Sequence, residues 1–358
     1  MEDVLSLELE ALGWNDLFAE HFQPYADRGL IPARVAIVFN RYFRVYTTDG
    51  ESVVVGGSGL HYRAETRAEL PVVGDWIAVN PSAQGGTIQA VLPRRSQFSR
   101  KVAGRVVHEQ IVAANIDTVF LVSGLDHDFN LRRIERYLIM AWESGAQPVV
   151  VLNKADLVDN SEELAGQVAN IASGAPVHLT SAKLDEGVEL IRSYLAPGLT
   201  MALLGSSGVG KSTLINRLIG EDRFRTQEVR VSDSRGRHTT THRELVLLEG
   251  GGLLIDTPGM RELQLWDADE GSDQSFADVR DLAAECRFSN CSHQNEPGCA
   301  VQRAVGSGLL DAGRVENFLK IQVELDHLAD QQTTRSQIET RRRTKVATRS
   351  VERQQRSR

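Results

Sequence analysis

The fold is decided by the stretch Gly205-Ser206-Ser207-Gly208-Val209-Gly210-Lys211-Ser212-Thr213. It matches a phosphate-binding loop, in which glycines let backbone N–H groups approach a polyphosphate. In such a loop a lysine reaches the β/γ-phosphates and a hydroxyl binds Mg²⁺, which makes Lys211 and Ser212 the candidate catalytic and magnesium-binding residues. The apolar run 199–204 predicts a buried strand before the loop, and residues 213–219 predict a helix after it. A chance glycine-rich turn is the alternative, and the flanking strand and helix argue against it.

Two further motifs predict that the bound base is guanine. Asn153-Lys154-Ala155-Asp156 and Ser181-Ala182-Lys183 each follow a short apolar run that predicts a strand. The carboxylate of Asp156 can accept hydrogen bonds from both N1–H and the exocyclic amine of guanine, a pairing that adenine does not offer. Asn153 can steady the loop and reach the purine, and the Lys154 stem can lie along the ring. An isolated Asn-Lys-x-Asp motif is weak, but the two motifs together predict a GTP site at the carboxyl edge of an α/β sheet.

A third motif, Asp256-Thr257-Pro258-Gly259, follows the apolar run 252–255. In P-loop NTPases an aspartate after a strand of this kind holds Mg²⁺. We expect Asp256 to hold Mg²⁺ through water, and the backbone N–H of Gly259 to lie near the γ-phosphate. Between the phosphate-binding loop and this motif lies Thr239-Thr240-Thr241. We expect a hydroxyl or carbonyl of one of these threonines, with Thr240 as the candidate, to meet Mg²⁺ in the triphosphate state. The other two threonines remain alternatives.

The residue that orients the attacking water is not evident. Many GTPases use a glutamine just after the Asp-x-x-Gly turn, but Met260 occupies that position and a thioether cannot orient water. His238, beside the threonines, is the internal candidate. The alternatives are that His238 is an ordinary exposed histidine and that the partner supplies the group.

The order of the motifs is inverted. In ordinary small GTPases the phosphate-binding loop comes first and the guanine motifs come last, whereas here the guanine motifs come first. A circular permutation preserves a packed sheet while moving the termini to another exposed connection. The sequence therefore predicts a circularly permuted α/β GTPase domain with a P-loop.

All three cysteines of the chain fall in one short segment with a histidine: Cys286, Cys291, His293 and Cys299. Three thiolates and an imidazole are the soft ligand set that structural zinc takes in a closed, four-coordinate site. An odd number of cysteines argues against a framework made only of disulfides. One fortuitous disulfide or buried free thiols is the alternative.

The N-terminal region predicts a small β-barrel. Five short β-runs occupy residues 35–40, 42–47, 51–55, 75–79 and 87–91, as an OB-fold requires. Basic and aromatic side chains interleave there, as they do in proteins that stack on bases and neutralise phosphates, or else the aromatics form the barrel core and the arginines an ordinary surface. The set is Arg34, Arg41, Tyr42, Phe43, Arg44, Tyr46, His61, Tyr62, Arg63 and Arg67.

Length and charge agree with several domains. The 358 residues exceed one typical domain, and the formal charge of −8 hides a basic tail at 331–358 that carries +7 against −15 elsewhere. Such a tail predicts disorder, with either RNA binding or simple solubilisation as its role.

The acidic start and the lack of any long apolar run predict a cytoplasmic protein without a membrane segment. Residues 311–328 predict an amphipathic helix that buries Val315, Phe318, Leu319, Val323, Leu325 and Leu328.

The motifs together resemble those of the bacterial ribosome small-subunit-dependent GTPases, over nearly the whole chain. Besides the GTP and Cys-His motifs, the matching stretches are Leu92-Pro93-Arg94-Arg95-Ser96, Asn130-Leu131-Arg132-Arg133-Ile134-Glu135-Arg136-Tyr137, Gly236-Arg237-His238-Thr239-Thr240-Thr241 and Glu296-Pro297-Gly298-Cys299-Ala300-Val301.

The resemblance implies a multi-domain chain with an OB-fold barrel, a permuted G domain and a mostly α zinc domain. We expect a helical extension over 1–30, the barrel over 31–95, the G domain over 96–265, the zinc domain over 266–330 and the tail over 331–358. The implied function is Mg²⁺-dependent GTP hydrolysis by a monomer that binds the small ribosomal subunit and its rRNA during late maturation and leaves after hydrolysis. A nucleotide-sensing RNA chaperone with little turnover and a GTPase with a non-ribosomal partner remain alternatives.

Overall fold

The computed structural model describes residues 8–40, 42–57, 59–60, 64, 66–82, 85–102, 108–172, 174–220, 243–256 and 269–328. These residues form two compact units. The first holds the long β-sheet, the helices that flank it and residues 270–275, and the second holds residues 276–328.

Five strands close the predicted barrel in the first unit. They are β1 (Ile31–Val38), β2 (Tyr42–Thr47), β3 (Gly50–Gly56), β4 (Trp76–Ser82) and β5 (Gly85–Val91). β1, β2 and β3 form an antiparallel meander, β3 pairs with β5 in parallel, β5 pairs with β4, and β4 returns to β1. Apolar side chains from alternate positions, such as Val35, Val45 and Val54, fill the interior. The prediction of five barrel strands is confirmed.

An N-terminal helix, α1 (Asp16–Ala26), covers one side of the barrel. It begins at Asn15, whose side-chain oxygen accepts a hydrogen bond from the Phe18 N–H at 3.2 Å and so caps the first turn. Trp14 just before the helix and Phe18 within it pack on Trp76 of β4, with ring centroids 4.7 and 5.9 Å away. This aromatic cluster buries the apolar face of α1 against the barrel.

The rest of the first unit is an α/β domain. After the two-stranded pair β6 (Gln97–Val102) and β7 (His108–Ala114), the strands are β8 (Thr118–Gly124), β9 (Gln147–Asn153), β10 (Val177–Leu179), β11 (Thr200–Leu204), β12 (Glu244–Leu247) and β13 (Leu253–Asp256). Their order in the sheet is β10-β9-β8-β11-β13-β12, parallel except for β12. The helices of this part of the unit are α2 (Leu131–Glu143), α3 (Ser161–Ile171), α4 (Val188–Arg192), α5 (Lys211–Ile219) and α6 (Asp269–Ser275).

The barrel and the α/β domain share one sheet. β12 pairs with β13 on one side and with β1 of the barrel on the other, where Ile37 lies opposite Glu244. Among the described residues, eleven strands therefore form a single sheet. The antiparallel strand β12 was not predicted, and it is the element that joins the two domains.

A buried arginine also joins the parts of this unit. Arg34 of β1 is 1% exposed, and its guanidinium donates hydrogen bonds to the backbone oxygen of Leu12, to Asn115 O at 3.0 Å and to Thr200 Oγ1 at 2.7 Å. Burial lowers the pKa of Arg34 to about 10, which still leaves it charged at neutral pH. The guanidinium thus links the N-terminal segment, the barrel and the α/β sheet.

The structure separates the basic and aromatic residues that the sequence grouped as RNA contacts. Arg34, Phe43 and Tyr46 are buried and so cannot stack on bases, while Tyr42 is 45% exposed and Arg67 is exposed. Phe43 points into the barrel because strand side chains alternate, whereas Arg34 and Tyr46 point outward and are buried by contacts such as those with Asn115 and Leu245. Arg41, His61, Tyr62 and Arg63 lie outside the described residues.

The second unit is helical, with α7 (Ala277–Ala284), α8 (Ala300–Gly306) and α9 over residues 312–328. Arg314 of α9 is 4% exposed, makes a bidentate ion pair with Asp278 at 2.7 Å for each bond, and lies over the Phe276 ring. α9 confirms the predicted amphipathic helix but not all of its buried face: Val315, Phe318, Leu325 and Leu328 are buried, Leu319 is half-buried and Val323 is 69% exposed. Val323 lies five positions beyond Phe318, on the opposite side of a helix with 3.6 residues per turn. The tail at 331–358 lies outside the described residues.

We expect Arg34→Met to lower the free energy of unfolding of the first unit by about 3 kcal/mol, because it leaves buried carbonyl acceptors without a donor. The measurement is urea unfolding followed by tryptophan fluorescence. Arg28→Met is the control, since Arg28 is an exposed arginine near the end of α1. Equal urea midpoints for the two variants would contradict a structural role for the buried guanidinium.

Candidate functional site

The glycine-rich loop connects β11 to α5 at the carboxyl edge of the parallel strands. Gly208 and Gly210 have φ of +83° and +97°, which favours glycine, and a Cβ at Gly205 would lie 2.2 Å from the backbone oxygen of Val122. The Lys211 ammonium donates to the backbone oxygens of Gly205, at 2.7 Å, and of Ser206. The loop therefore wraps around the lysine ahead of a helix N-terminus, an arrangement that binds phosphate groups.

The side chain of Asn153 joins three loops. It is 3% exposed, and its Nδ2 donates to Val209 O of the glycine-rich loop at 2.8 Å. Its Oδ1 accepts from the Ala182 N–H at 2.9 Å and from Thr180 Oγ1 at 3.3 Å. The close approach explains Gly210, where a Cβ would lie 2.2 Å from Asn153 Nδ2. One amide thus brings the two predicted guanine motifs and the phosphate-binding loop together.

The two guanine motifs also contact each other directly. The Ser181 hydroxyl donates to Asp156 Oδ1 at 2.6 Å, and the Ala155 N–H donates to Thr180 O at 3.0 Å. Arg217 of α5 donates to the backbone oxygens of Ala182 at 3.1 Å and Lys183 at 3.2 Å. Arg217 was not predicted, and only the helical register of α5 places it beside this loop.

Lys154 has a partner that sequence reasoning missed. It adopts a left-handed conformation with φ of 65°, and its ammonium contacts Asp126 Oδ2 at 2.6 Å. Partial burial opposes ionisation of Asp126, but hydrogen bonds from Lys154 and from the Asp128 N–H outweigh it and hold the pKa of Asp126 below its ordinary value. A Cβ at Gly124 would lie 2.8 Å from Asp126 Oδ1, so that glycine makes room for the pair. Asp126 follows β8 directly, at the edge of the sheet where ligand-binding loops gather.

The magnesium and catalytic candidates are only partly described. Asp256 ends β13, next to β11 and so on the same edge as the glycine-rich loop, and its backbone lies opposite that of Glu244. The structure describes the backbone of Asp256 but not its side chain. His238, Thr239-Thr240-Thr241, Gly259 and Met260 lie outside the described residues.

In the second unit, the predicted metal ligands come together. The ligand atoms of Cys286, Cys291, His293 and Cys299 all lie within 4.8 Å of one another. His293 Nδ1 is 3.6 Å from the sulfurs of Cys286 and Cys299, and those two sulfurs are 3.9 Å apart. A disulfide needs about 2.05 Å between its sulfurs, and all three thiols are free in the structure. These four residues form a cluster that can hold a metal ion.

Local hydrogen bonds shape the ligand loop. The Glu296 carboxylate accepts from the Ser292 N–H at 2.9 Å and from the Gln294 and Asn295 N–H groups at 3.2 Å, and it also accepts from the Ser292 hydroxyl. These bonds lower the pKa of Glu296 to about 2. His293 has φ of 59°, and the backbone oxygen of His293 accepts a hydrogen bond from Gln302 Nε2 at 2.6 Å. The loop between the second and fourth ligands is therefore closed by its own acidic residue.

Backbone N–H groups also point at the sulfurs. The Ala300 N–H lies 3.3 Å from Cys286 Sγ, and the Gln302 N–H lies 3.4 Å from Cys299 Sγ, which caps α8. Burial raises the pKa of the Cys286 thiol, but the N–H groups of Ala300 and Val301 outweigh that effect and lower it. Such donors favour the thiolate, the form that binds a metal.

These features define a class of protein: a circularly permuted P-loop GTPase with an N-terminal barrel and a helical Cys-His domain. The RsgA GTPase family profile matches residues 91–266. The small ribosomal subunit biogenesis GTPase RsgA of Opitutus terrae is 49% identical over 334 residues, which cover 90% of this chain and 91% of that protein. The protein of the same name from Streptomyces coelicolor is 42% identical over 337 residues, which cover 93% and 91%. The chain belongs to the RsgA GTPase family.

Solved structures agree with the fold. YjeQ from Thermotoga maritima aligns with a TM-score of 0.63 at 27% identity and covers 83% of this chain and 98% of its own. YloQ, described as a circularly permuted GTPase, aligns with a TM-score of 0.60 at 22% identity and covers 83% and 96%. The predicted fold class and family are confirmed. Within the part of the chain that the structure describes, no helix is both long and apolar enough to span a membrane.

We expect Asp126→Ala to weaken GDP and GTP binding about tenfold, because the hydrogen bond that holds the Lys154 ammonium is lost. Titration with a fluorescent guanine nucleotide measures the effect. Asp159→Ala, which removes an exposed carboxylate in the same region, controls for the change in net charge. Unchanged affinity in Asp126→Ala would contradict a role for the ion pair in nucleotide binding.

Proposed function

We propose that this GTPase acts in maturation of the small ribosomal subunit in the cytoplasm, binding the subunit and its rRNA in the GTP state and leaving after hydrolysis. The observation that carries the proposal is the Asn153 side chain, which joins the guanine motifs to the phosphate-binding loop. The ribosomal role is proposed from the relatives, which are named small ribosomal subunit biogenesis GTPases. We propose that the chain acts as a monomer.

The nucleotide is proposed to lie across the edge of the sheet. Asp156 would accept from the guanine N1–H and amine, held in place by the Ser181 hydroxyl. The Lys154 stem, held through Asp126, would lie along the purine. The phosphates would sit in the glycine-rich loop, with Lys211 turning from the loop carbonyls to the β/γ-phosphates. The donor set fits Mg²⁺, which prefers hydroxyl, carboxylate and phosphate oxygens, and Ser212 and Asp256 would hold it.

Hydrolysis by the protein alone is proposed to be slow. Met260 stands where many GTPases carry the water-orienting glutamine, so the attacking water lacks its usual partner. His238 remains the proposed internal residue for this role, and Thr240 and Gly259 are the proposed contacts to Mg²⁺ and the γ-phosphate. The alternative is that the bound subunit supplies the water-orienting group itself.

The proposed RNA contacts lie on the barrel, the Cys-His domain and the basic tail. On the barrel, Tyr42 is 45% exposed and stacks with Phe39 at 4.3 Å between ring centroids, which leaves an aromatic surface for bases. Arg67 is exposed and can meet phosphate. Because phosphate contacts release counterions, binding to the subunit should weaken steeply as the salt concentration rises.

The metal is proposed to be one structural zinc ion. With Zn–S bonds of about 2.3 Å and a Zn–N bond of about 2.1 Å, a tetrahedral centre separates two sulfurs by about 3.8 Å and a sulfur from the nitrogen by about 3.6 Å. The 3.9 and 3.6 Å separations between the Cys286, His293 and Cys299 ligand atoms support this assignment. Four protein ligands leave no open position, so the ion would stabilise the fold and take no part in hydrolysis.

The proposed function predicts that purified small ribosomal subunits raise the rate of GTP hydrolysis at least about a hundredfold over the slow rate of the protein alone, because one positioned catalytic group contributes roughly that factor or more. Asp156→Asn should lose this stimulated activity with GTP and recover it with xanthosine triphosphate, whose extra carbonyl matches an amide donor. Phosphate release under both nucleotides, with and without subunits, measures the effect.

Each outcome of this experiment identifies one reading. Subunit binding under a GTP analogue without stimulated turnover would favour the nucleotide-sensing RNA chaperone. Fast GTP turnover that is unchanged by small subunits, in a protein that does not bind them, would favour a GTPase with another partner. An unaltered nucleotide preference in Asp156→Asn would contradict the guanine assignment.

For the metal, we expect one zinc ion per chain by elemental analysis and its loss in Cys299→Ala, with unfolding of the second unit because metal binding supplies folding free energy. GDP affinity should be retained, since the nucleotide residues lie in the first unit. Ser307→Ala, a change outside the cluster at the end of α8, is the control. A metal-free wild type whose second unit resists proteolysis would contradict the zinc assignment.

A further inference from the structure

Strand β12 separates the barrel from the proposed magnesium end of the GTPase site by a single strand. Its first residue, Glu244, lies opposite Ile37 of β1 on one side and opposite Asp256 of β13 on the other. Opposed residues in antiparallel strands have Cα atoms about 5 Å apart. A shift of Asp256 in response to the nucleotide therefore meets Glu244 first and the barrel immediately after it.

Two barrel side chains hold β12 from the other side. The Arg44 guanidinium donates to Glu244 Oε1, and its Nε lies 3.7 Å from Glu51 Oε2. The Tyr46 hydroxyl, on a side chain that is 6% exposed, donates to Leu245 O at 3.2 Å. Both residues belong to β2, which carries no predicted nucleotide contact. The barrel therefore forms hydrogen bonds with the side chain of Glu244 and with the backbone of the next residue.

The charges make this contact sensitive to the nucleotide. Glu244 places a carboxylate at the strand position opposite Asp256, and Arg44 is the cation that balances it. A triphosphate with Mg²⁺ and a diphosphate differ in charge at this edge of the sheet, and partly buried charges are screened less than fully exposed ones. The Arg44–Glu244 pair is therefore placed where it can respond to a change in charge at the γ-phosphate position.

We propose that Glu244 is a positioning residue that couples the nucleotide state at Asp256 to the barrel, with Arg44 and Tyr46 as its barrel partners. This inference rests on the proposed placement of the nucleotide and Mg²⁺. It gives the buried Tyr46 and the half-buried Arg44 a role within the protein in place of the RNA contact that the sequence predicted for them.

The first test uses the full-length protein without any subunit. Amide hydrogen exchange of residues 31–47 is compared with bound GDP and with a bound non-hydrolysable GTP analogue, both with Mg²⁺. We expect the wild type to exchange differently in the two states, and Tyr46→Phe, Arg44→Met and Glu244→Gln to lose most of that difference. Arg44→Lys, which keeps the charge, should retain part of it, and Arg28→Met, a change at an exposed arginine, should retain it fully.

The second test measures GTP hydrolysis at saturating small subunits. Because a partly exposed ion pair contributes modestly, the stimulated rate should fall about two- to fivefold in Arg44→Met. Tyr46→Phe should have a similar effect, and the amount of subunit bound under the GTP analogue should not change. A fall in rate with retained binding separates a positioning role from a loss of RNA contact.

The outcomes distinguish this inference from the proposed function. Equal exchange of residues 31–47 in the two nucleotide states of the wild type, with occupancy verified, would overturn the coupling and leave the GTPase assignment intact. A nucleotide-dependent difference that persists in all three variants would overturn the role of these side chains. A wild type that binds neither nucleotide would overturn both.

Discussion

The candidate GTP site depends on one buried carboxamide, that of Asn153. The loops that it joins come from distant parts of the chain, with Val209 lying 56 residues further on and Ala182 lying 29 residues further on. A buried amide group with unpaired donors and acceptors costs about 1 to 3 kcal/mol, so the three loops are held in the one arrangement that satisfies it. The glycine at position 210 follows from the same constraint, because a Cβ there would overlap the amide nitrogen.

The sheet alone does not fix how these loops lie relative to one another. In this chain the first guanine motif and the phosphate-binding loop are connected through α3, β10, α4 and β11, and the parallel strands place all these loops at one edge of the sheet. Hydrogen bonds between the loops then fix their positions relative to one another. They run from Asn153 to the glycine-rich loop, from Ser181 to Asp156, and from Arg217 to the backbone of Ala182. The sheet therefore provides the frame, and a few polar side chains provide the fit of the site.

The sequence predicted what short-range patterns encode. The glycine-rich loop, the guanine motifs, the five barrel strands and the Cys-His spacing are all local, and each predicts its own element or cluster. It failed where the cause is a distant partner. Asp126 looks like an ordinary loop carboxylate until Lys154 is seen beside it, and Arg34 looks like a surface arginine until the carbonyls of Leu12 and Asn115 surround it.

The junction between the barrel and the α/β domain is the clearest case of this limit. β12 has only four residues, Glu244–Leu247, and its apolar pattern does not distinguish the edge strand of a domain from a bridge between two. It becomes a bridge because β1 presents a free edge at Ile37 and because Arg44 and Tyr46 offer donors to Glu244 and Leu245. β12 pairs along its length with β13 and at Glu244 with β1, so separating the two domains would expose backbone groups at this junction. The barrel is therefore built into the sheet that carries the nucleotide site, and a rigid connection of this kind transmits a displacement that a flexible linker would absorb.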